Sequence, residues 1–447
     1  MATQQTITRR KFIRKTLATT GAAALAPAII PTSALGNDGN VAPSNRVGVG
    51  IVGVGRQDRA YNRRQLLALP DVQVLAVCDV DAWRLENARK SVDEHYGKDT
   101  ASGTYRGCAA YADFHELLAR DDVDAVMIAT PDHWHEPMTL AAFEAGKDVS
   151  LEKPITRTIA EGRRISDAAG RLDRVFRVDS EFRTKPGVRQ AAMLVRNGRI
   201  GKILRVEVGV PQSDVGCPPQ PEMPIPAELD YERWQGPAPR AFYTERRVHQ
   251  PKAYERPGWM RHLYYCDGMI TNWGTHTLNG ALWAVDLDRT GPVEIEGRGA
   301  YPAPTSFWNV MLKFDIRYRF ANGIECRYHT GRPHFRIEGT DGWVEADFRT
   351  VKAEPAALLQ EQFGPDELHF PNAAKGDKRD FIDCVKSREE TLEPAEVGHR
   401  VTSVCHLGHI AVQVGGVLRW DPEKERFPDN DAANALVDQP IHEPIAG

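Results

Sequence analysis

Val47-Gly48-Val49-Gly50-Ile51-Val52-Gly53-Val54-Gly55-Arg56 decides the fold of this 447-residue chain. A run rich in β-branched residues empties into closely spaced glycines, and a second apolar run ends on Cys78-Asp79-Val80-Asp81. β-Branched residues favour an extended strand, and glycines let the backbone turn tightly into a helix. This is how a dinucleotide-binding βαβ unit begins: N–H groups at the helix start face a pyrophosphate, and a carboxylate about 20 residues on accepts from a ribose. Asp58 stands where the third glycine of the pattern, counted from Gly53 and Gly55, would fall. A carboxylate there can cap the helix, and it repels a phosphate if it points inward.

Working outward, apolar runs over residues 47–54, 73–78, 125–129 and 148–151 alternate with helical stretches over 59–69, 82–94, 114–118 and 137–145. That alternation specifies an α/β architecture with a doubly wound parallel sheet, expected over residues 46–155. Ligands of such sheets bind at the carboxyl ends of the strands, where Thr130-Pro131-Asp132 and Glu152-Lys153-Pro154 fall. The texture then changes. Alternating runs over 310–320, 324–329, 335–339 and 343–347 are joined by the hairpin signals Asn322-Gly323 and Asp341-Gly342. Residues 156–447 are therefore expected to form an α/β domain with an open, largely antiparallel sheet, packed by helices over 378–386 and 397–414. The stretch 211–257, rich in Pro, Gly, Tyr and Arg, reads as an ordered excursion able to close over a site.

Upstream, Thr8-Arg9-Arg10-Lys11-Phe12-Ile13 precedes an Ala-rich segment and small residues up to Gly36. This is the pattern of a twin-arginine export signal over residues 1–36, with a polar linker over 37–45. It implies export to the periplasm or beyond through the twin-arginine machinery, already folded. A net charge of -4 gives no basic footprint for nucleic acid. No apolar run after the N-terminus reaches the roughly 18 residues that would anchor the chain in a bilayer. The seven cysteines are scattered, without a Cys-x-x-Cys pair, and indicate neither a zinc site nor a disulfide framework. His133 and His135 could ligate a metal, but no third ligand is evident and none is assigned.

The glycine turn, Asp79, Thr130-Pro131-Asp132-His133-Trp134-His135, Glu152-Lys153-Pro154 and Gly268-Met269-Ile270-Thr271-Asn272-Trp273-Gly274-Thr275-His276 together resemble the glucose-fructose oxidoreductase / inositol dehydrogenase / rhizopine catabolism (Gfo/Idh/MocA) family. The resemblance implies a dinucleotide domain followed by an open-sheet domain, an enzyme oxidising CH–OH groups, and a homo-oligomer. Gly53, Gly55, Arg56, Thr130, Pro131, His133, His135, Glu152 and Lys153 would contact the cofactor. Asp79 would hold the adenosine ribose and disfavour a 2′-phosphate, so NAD, held tightly, is expected over NADP. His276 would be the catalytic acid or base and Lys153 its electrostatic partner. Asn272 stands where sugar dehydrogenases of the family usually have aspartate; it can anchor a hydroxyl but carries no charge. Arg183, Trp259, Arg261 and Tyr264 complete the expected substrate contacts. Three functions follow: oxidation of a sugar, glycoside or cyclitol hydroxyl by hydride transfer; glycoside cleavage by oxidation and elimination with the cofactor recycled; or a catalytically inactive sugar- or nucleotide-binding protein.

Overall fold

The computed structural model describes residues 41–42, 45–97 and 105–442, so the export signal expected over residues 1–36 lies outside the described residues. Strands β1 (Val47–Val52), β2 (Val72–Cys78), β3 (Ala109–Tyr111), β4 (Ala125–Ile128), β5 (Asp148–Glu152) and β6 (Phe176–Asp179) form a parallel sheet in the order β3-β2-β1-β4-β5-β6. β1, β4, β5 and β6 are buried at every position, as parallel strands covered on both faces must be. The strand order reverses between β1 and β4, which opens a crevice at their carboxyl ends. β6 corrects the boundary expected at residue 155. Helix Ile159–Arg171, started by a Thr158/Glu161 capping box, brings the chain back beside β5, so the sheet continues to Asp179.

Strands β7 (Ile203–Val210), β8 (Glu294–Ala300), β9 (Lys313–Arg319), β10 (Glu325–Thr330), β11 (His334–Gly339), β12 (Trp343–Ala346), β13 (Val351–Glu354) and β14 (Val417–Arg419) make the second sheet, ordered β13-β12-β11-β7-β10-β9-β8-β14. Its pairs are antiparallel except β7 with β10. Gly323, with φ +86°, supplies the turn conformation between β9 and β10. Phe314, Ile316, Tyr318, Cys326 and Tyr328 alternate inward and pack with helices Gly274–Ala284 and Ala395–Val414. No described helix is long and apolar enough to cross a membrane.

Helix Asp377–Ser387 leaves this second domain and returns to the first. Its Phe381, Ile382 and Cys384 join Val47, Val49, Ile51 and Val74 in one core. Beside them Arg177, with no exposed surface, donates to Asp380 at 2.5 Å, to Glu393 at 3.3 Å and to Asp377. Lys378 pairs with Asp179, which also accepts from Ser150 at 2.6 Å. Burying this many charges is tolerable because each has a partner of opposite sign.

Candidate active site

At the end of β1, Gly53 turns with φ +85°. A Cβ there would stand 2.7 Å from the Ala129 backbone and 2.8 Å from Thr130 N, so this glycine lets the ends of β1 and β4 approach one another. Gly53→Ala is expected to cost about 1–3 kcal/mol, measured as a fall in melting temperature. Gly55 differs: its Cβ would meet only Arg84 Nη1, at 3.4 Å, and the residue lines the cleft. The helix that follows contains a widened π-helical turn, Asp58–Asn62. Asp58 does not cap it and is not on the cleft wall. It is turned inward, fully buried 3.6 Å from Arg63, and burial pushes its carboxyl up to about 7. Asn62 donates to Glu152 at 3.0 Å, joining this helix to the end of β5.

Asp79 lines the cleft and accepts from Val54 N–H at 2.8 Å and Asp81 N–H at 2.9 Å, so it also shapes the glycine turn. The 211–257 excursion forms the facing wall. Short helix Tyr231–Gln235 and a small core of Leu229, Tyr231, Trp234, Tyr243 and Val248 give it order. It is stitched to the end of β2: Ala82 N–H donates to Glu228 O at 2.8 Å and Asp230 N–H to Val80 O at 3.0 Å. His249 Nε2 lies 3.0 Å from Asp81 Oδ2, Arg84 donates to Ala253 O at 3.0 Å, and the Arg59 guanidinium lies 4.5 Å over the Tyr254 ring. Arg233, Trp234, His249 and Glu255 thereby join Arg56 and Asp79 in lining the cleft.

The other end of the cleft gathers Thr130, Pro131, Asp132, Glu152, Lys153, Trp259 and Asn272. The Lys153–Pro154 peptide is cis. Among the described residues, the Lys153 ammonium has no hydrogen-bond or ion-pair partner. His276 sits one helical turn beyond Asn272, off the cleft wall, between the rings of Trp273 at 5.8 Å and Phe348 at 5.2 Å. Its Nδ1 is bonded to the Ser180 carbonyl, which can only accept. Nδ1 therefore carries the proton, and Nε2 is left with a free lone pair. Burial, helped by the Lys153 charge, holds this imidazole down at about 3, so it is neutral at ordinary pH.

Several expected contacts lie elsewhere. His133 bonds the Trp234 carbonyl at 3.1 Å, and His135 lies between the carbonyls of Thr130 (3.0 Å) and Pro154 (2.7 Å), to one of which its single N–H donates, so both rings pack into the loops. Arg183 is buried against Asn279 (2.6 Å) and Asp288 (2.8 Å). Arg261 pairs with Asp214 at 2.5 Å and stacks on Trp308, while Tyr264 packs against Tyr265 and His442. None of these lines the cleft, because each is spent on another partner within the fold. No group of three or more His, Cys, Asp or Glu among the described residues is placed to hold a metal. Sequence reasoning passed over Asp132, although it lies inside a quoted motif, and also Arg84 and His249. Nothing local announces the last: Asp81 and His249 are 168 residues apart.

The wall fits a nicotinamide dinucleotide. Gly55 leaves a side-chain-free cradle beside the Arg84 guanidinium, Asp79 stands at the end of β2, and Thr130 Oγ1 is a buried polar atom with no hydrogen-bond partner among the described residues. The chain is 32% identical over 209 residues, 44% of its length, to "Glycosyl hydrolase family 109 protein 2" of Shewanella sp. (strain ANA-3), and spans 45% of that protein. It is 31% identical over 193 residues, 42% of its length, to inositol 2-dehydrogenase of Gluconacetobacter diazotrophicus, spanning 54% of that enzyme. Its fold matches aldose-aldose oxidoreductase from Caulobacter crescentus with a TM-score of 0.59, at 19% identity, over 84% of this chain and 99% of that one. Residues 47–180 match the NAD-binding Rossmann fold of an oxidoreductase family and residues 187–446 its C-terminal alpha/beta domain, and the chain belongs to that family, Gfo/Idh/MocA.

Proposed function

We propose that this protein is an exported oxidoreductase that uses tightly held NAD to act on a hydroxyl of a sugar, glycoside or cyclitol. The observation that carries the reading is His276, whose Nδ1–H is committed to Ser180 while Nε2 is left as a neutral base beside Lys153. Bound in the cleft, the dinucleotide would supply the hydride acceptor. His276 Nε2 takes the hydroxyl proton, Lys153 steadies the negative charge that develops on that oxygen, and Asn272 fixes the hydroxyl by hydrogen bonding. The Asp79 carboxylate, already filled by two backbone donors, favours NAD over NADP because a 2′-phosphate beside it would be repelled. Export through the twin-arginine machinery and assembly as a homo-oligomer are part of the proposal.

A second reading, glycoside cleavage with a recycled dinucleotide, is favoured by the excursion. A cleft walled by residues stitched to both Val80 and Arg84 suits a cofactor that stays bound through turnover. The similarity to a glycosyl hydrolase family 109 protein points the same way. The native protein should retain a nicotinamide dinucleotide through gel filtration, identified by mass spectrometry of the released nucleotide. Protein without bound dinucleotide and without a calorimetric response to NAD would refute the whole proposal. Net NADH formed on a panel of sugars selects the first reading, and glycosidic cleavage without net NADH the second.

A further inference from the structure

Asp132 combines three features found together at no other acid of the cleft. It lines the wall at the Lys153 end, it is only 4% exposed, and among the described residues no neighbouring group hydrogen-bonds or ion-pairs with its carboxyl. The sole donor to it is its own backbone N–H. Three charges act on it without bonding to it: the cations Lys153 and Arg157, and the Asp267 carboxylate, which pairs with Arg157 at 3.9 Å while that guanidinium donates to the carbonyls of Tyr264 (2.7 Å) and Leu263 (2.5 Å). The other cleft carboxylates are bound up or, in the case of Glu255, exposed to solvent. Asp79 takes two backbone donors and Glu152 takes Asn62.

We propose that Asp132 is the proton donor to the departing oxygen of a glycoside in this cleft. The proposal deepens the glycoside reading above and rests on it. In a glycoside bearing a ketone two carbons from the anomeric centre, the C–H between them is acidified. His276 Nε2, once it has released to water the hydroxyl proton taken during the oxidation, removes that proton, the C–H electron pair becomes a C=C bond, and the anomeric C–O bond breaks with its pair going to the departing oxygen. The Asp132 O–H proton passes to that oxygen and leaves a carboxylate facing Lys153 and Arg157. Addition of water then restores both groups: its oxygen joins the anomeric carbon, its proton returns to Asp132, and His276 returns its proton to the neighbouring carbon. Such a donor must hold its proton near neutral pH and lose it readily to a stronger base. Burial, joined by the Asp267 charge and opposed by the two cations, sets the carboxyl at about 8.

Because a ketone supplied from outside bypasses the oxidation, the elimination can be tested by itself. Methyl and p-nitrophenyl keto-glycosides are presented to the native protein and to Asp132→Asn. The variant should release methanol on the order of 10²–10³-fold more slowly, and p-nitrophenol within about threefold of native, since nitrophenolate departs without a proton. Asp132→Glu, which restores a carboxyl, should recover part of the methanol release. Native protein near pH 6 should also show the infrared C=O stretch of a protonated carboxyl that the asparagine variant lacks. Equal losses on both substrates, an undiminished methanol rate, or no such infrared band would overturn the assignment. A native protein that releases neither alcohol but reduces the ketones with NADH overturns it too, yet leaves the hydroxyl-oxidising reading intact.

Discussion

Replacing His276 with alanine is expected to lower turnover on the native substrate by roughly 10²–10⁴-fold while the protein keeps its dinucleotide. The loss is that of a positioned base rather than of a cofactor contact, because the ring is not among the residues lining the dinucleotide cleft. His276→Gln sharpens the test. Its amide N–H can still donate to the Ser180 carbonyl, so the loop stays fixed, but it has no basic nitrogen. Near-native turnover in the glutamine variant would reduce His276 to a brace and sink the proposed chemistry. The same burial that keeps Nε2 unprotonated sets its pH behaviour. An imidazole held at about 3 remains deprotonated through the mildly acidic range, so kcat/KM should show no limb from His276 near pH 6. A limb found there that survives in the alanine variant belongs to another group.

Arg177→Met is expected to cost stability rather than chemistry, by about 3–5 kcal/mol, which in a chain of this size is a fall in melting temperature on the order of 10 °C. The guanidinium is the shared partner of Asp377, Asp380 and Glu393, and without it three buried carboxylates are left without that counter-charge. Burial already raises Asp380 and Glu393 above the usual carboxylate range even with the arginine present. In the variant their folded values rise further above the unfolded ones. Stability lost this way is intact below the unfolded carboxylate range, about pH 4, and disappears as pH climbs through the folded values. The deficit of Arg177→Met should therefore be smaller at pH 5 than at pH 8. A deficit equal at both pH values would assign the loss to packing alone.

The strongly patterned parts of the fold were legible in the sequence. β1 and its glycine turn, the alternation of β2, β4 and β5 with helices (though not short, half-buried β3), and the hairpins at Gly323 and Gly342 all rest on local rules: period-two burial, turn glycines and β-branched runs. β8, β13 and β14 were not. Glu294–Ala300 buries only Ile295, Val351–Glu354 only Ala353 and Val417–Arg419 only Leu418, so their pairing is dictated by neighbouring strands rather than by their own pattern. The site shows the same divide. Lys153 and Asn272 sit in contiguous motifs that also line the cleft. Arg183 looked like a substrate contact because arginine suits sugars, but buried Asp288 and Asn279 claim it from about a hundred residues away. Asp58 looked like a flaw in the phosphate turn until a π-helical turn carried it inward to Arg63.

The returning helix Asp377–Ser387 has a consequence for how the molecule is made. Arg177 and Asp380 are 203 residues apart in sequence, yet the core beneath β1 and β2 closes only when Phe381 and Ile382 arrive. At about 5–20 residues per second, the nascent parallel sheet waits roughly 10–40 s with an open apolar underside. A fragment ending near Asp179 keeps that underside exposed permanently. The dinucleotide domain is thus a unit of architecture without being a unit of synthesis, and the chain must leave the ribosome nearly whole before either half is finished.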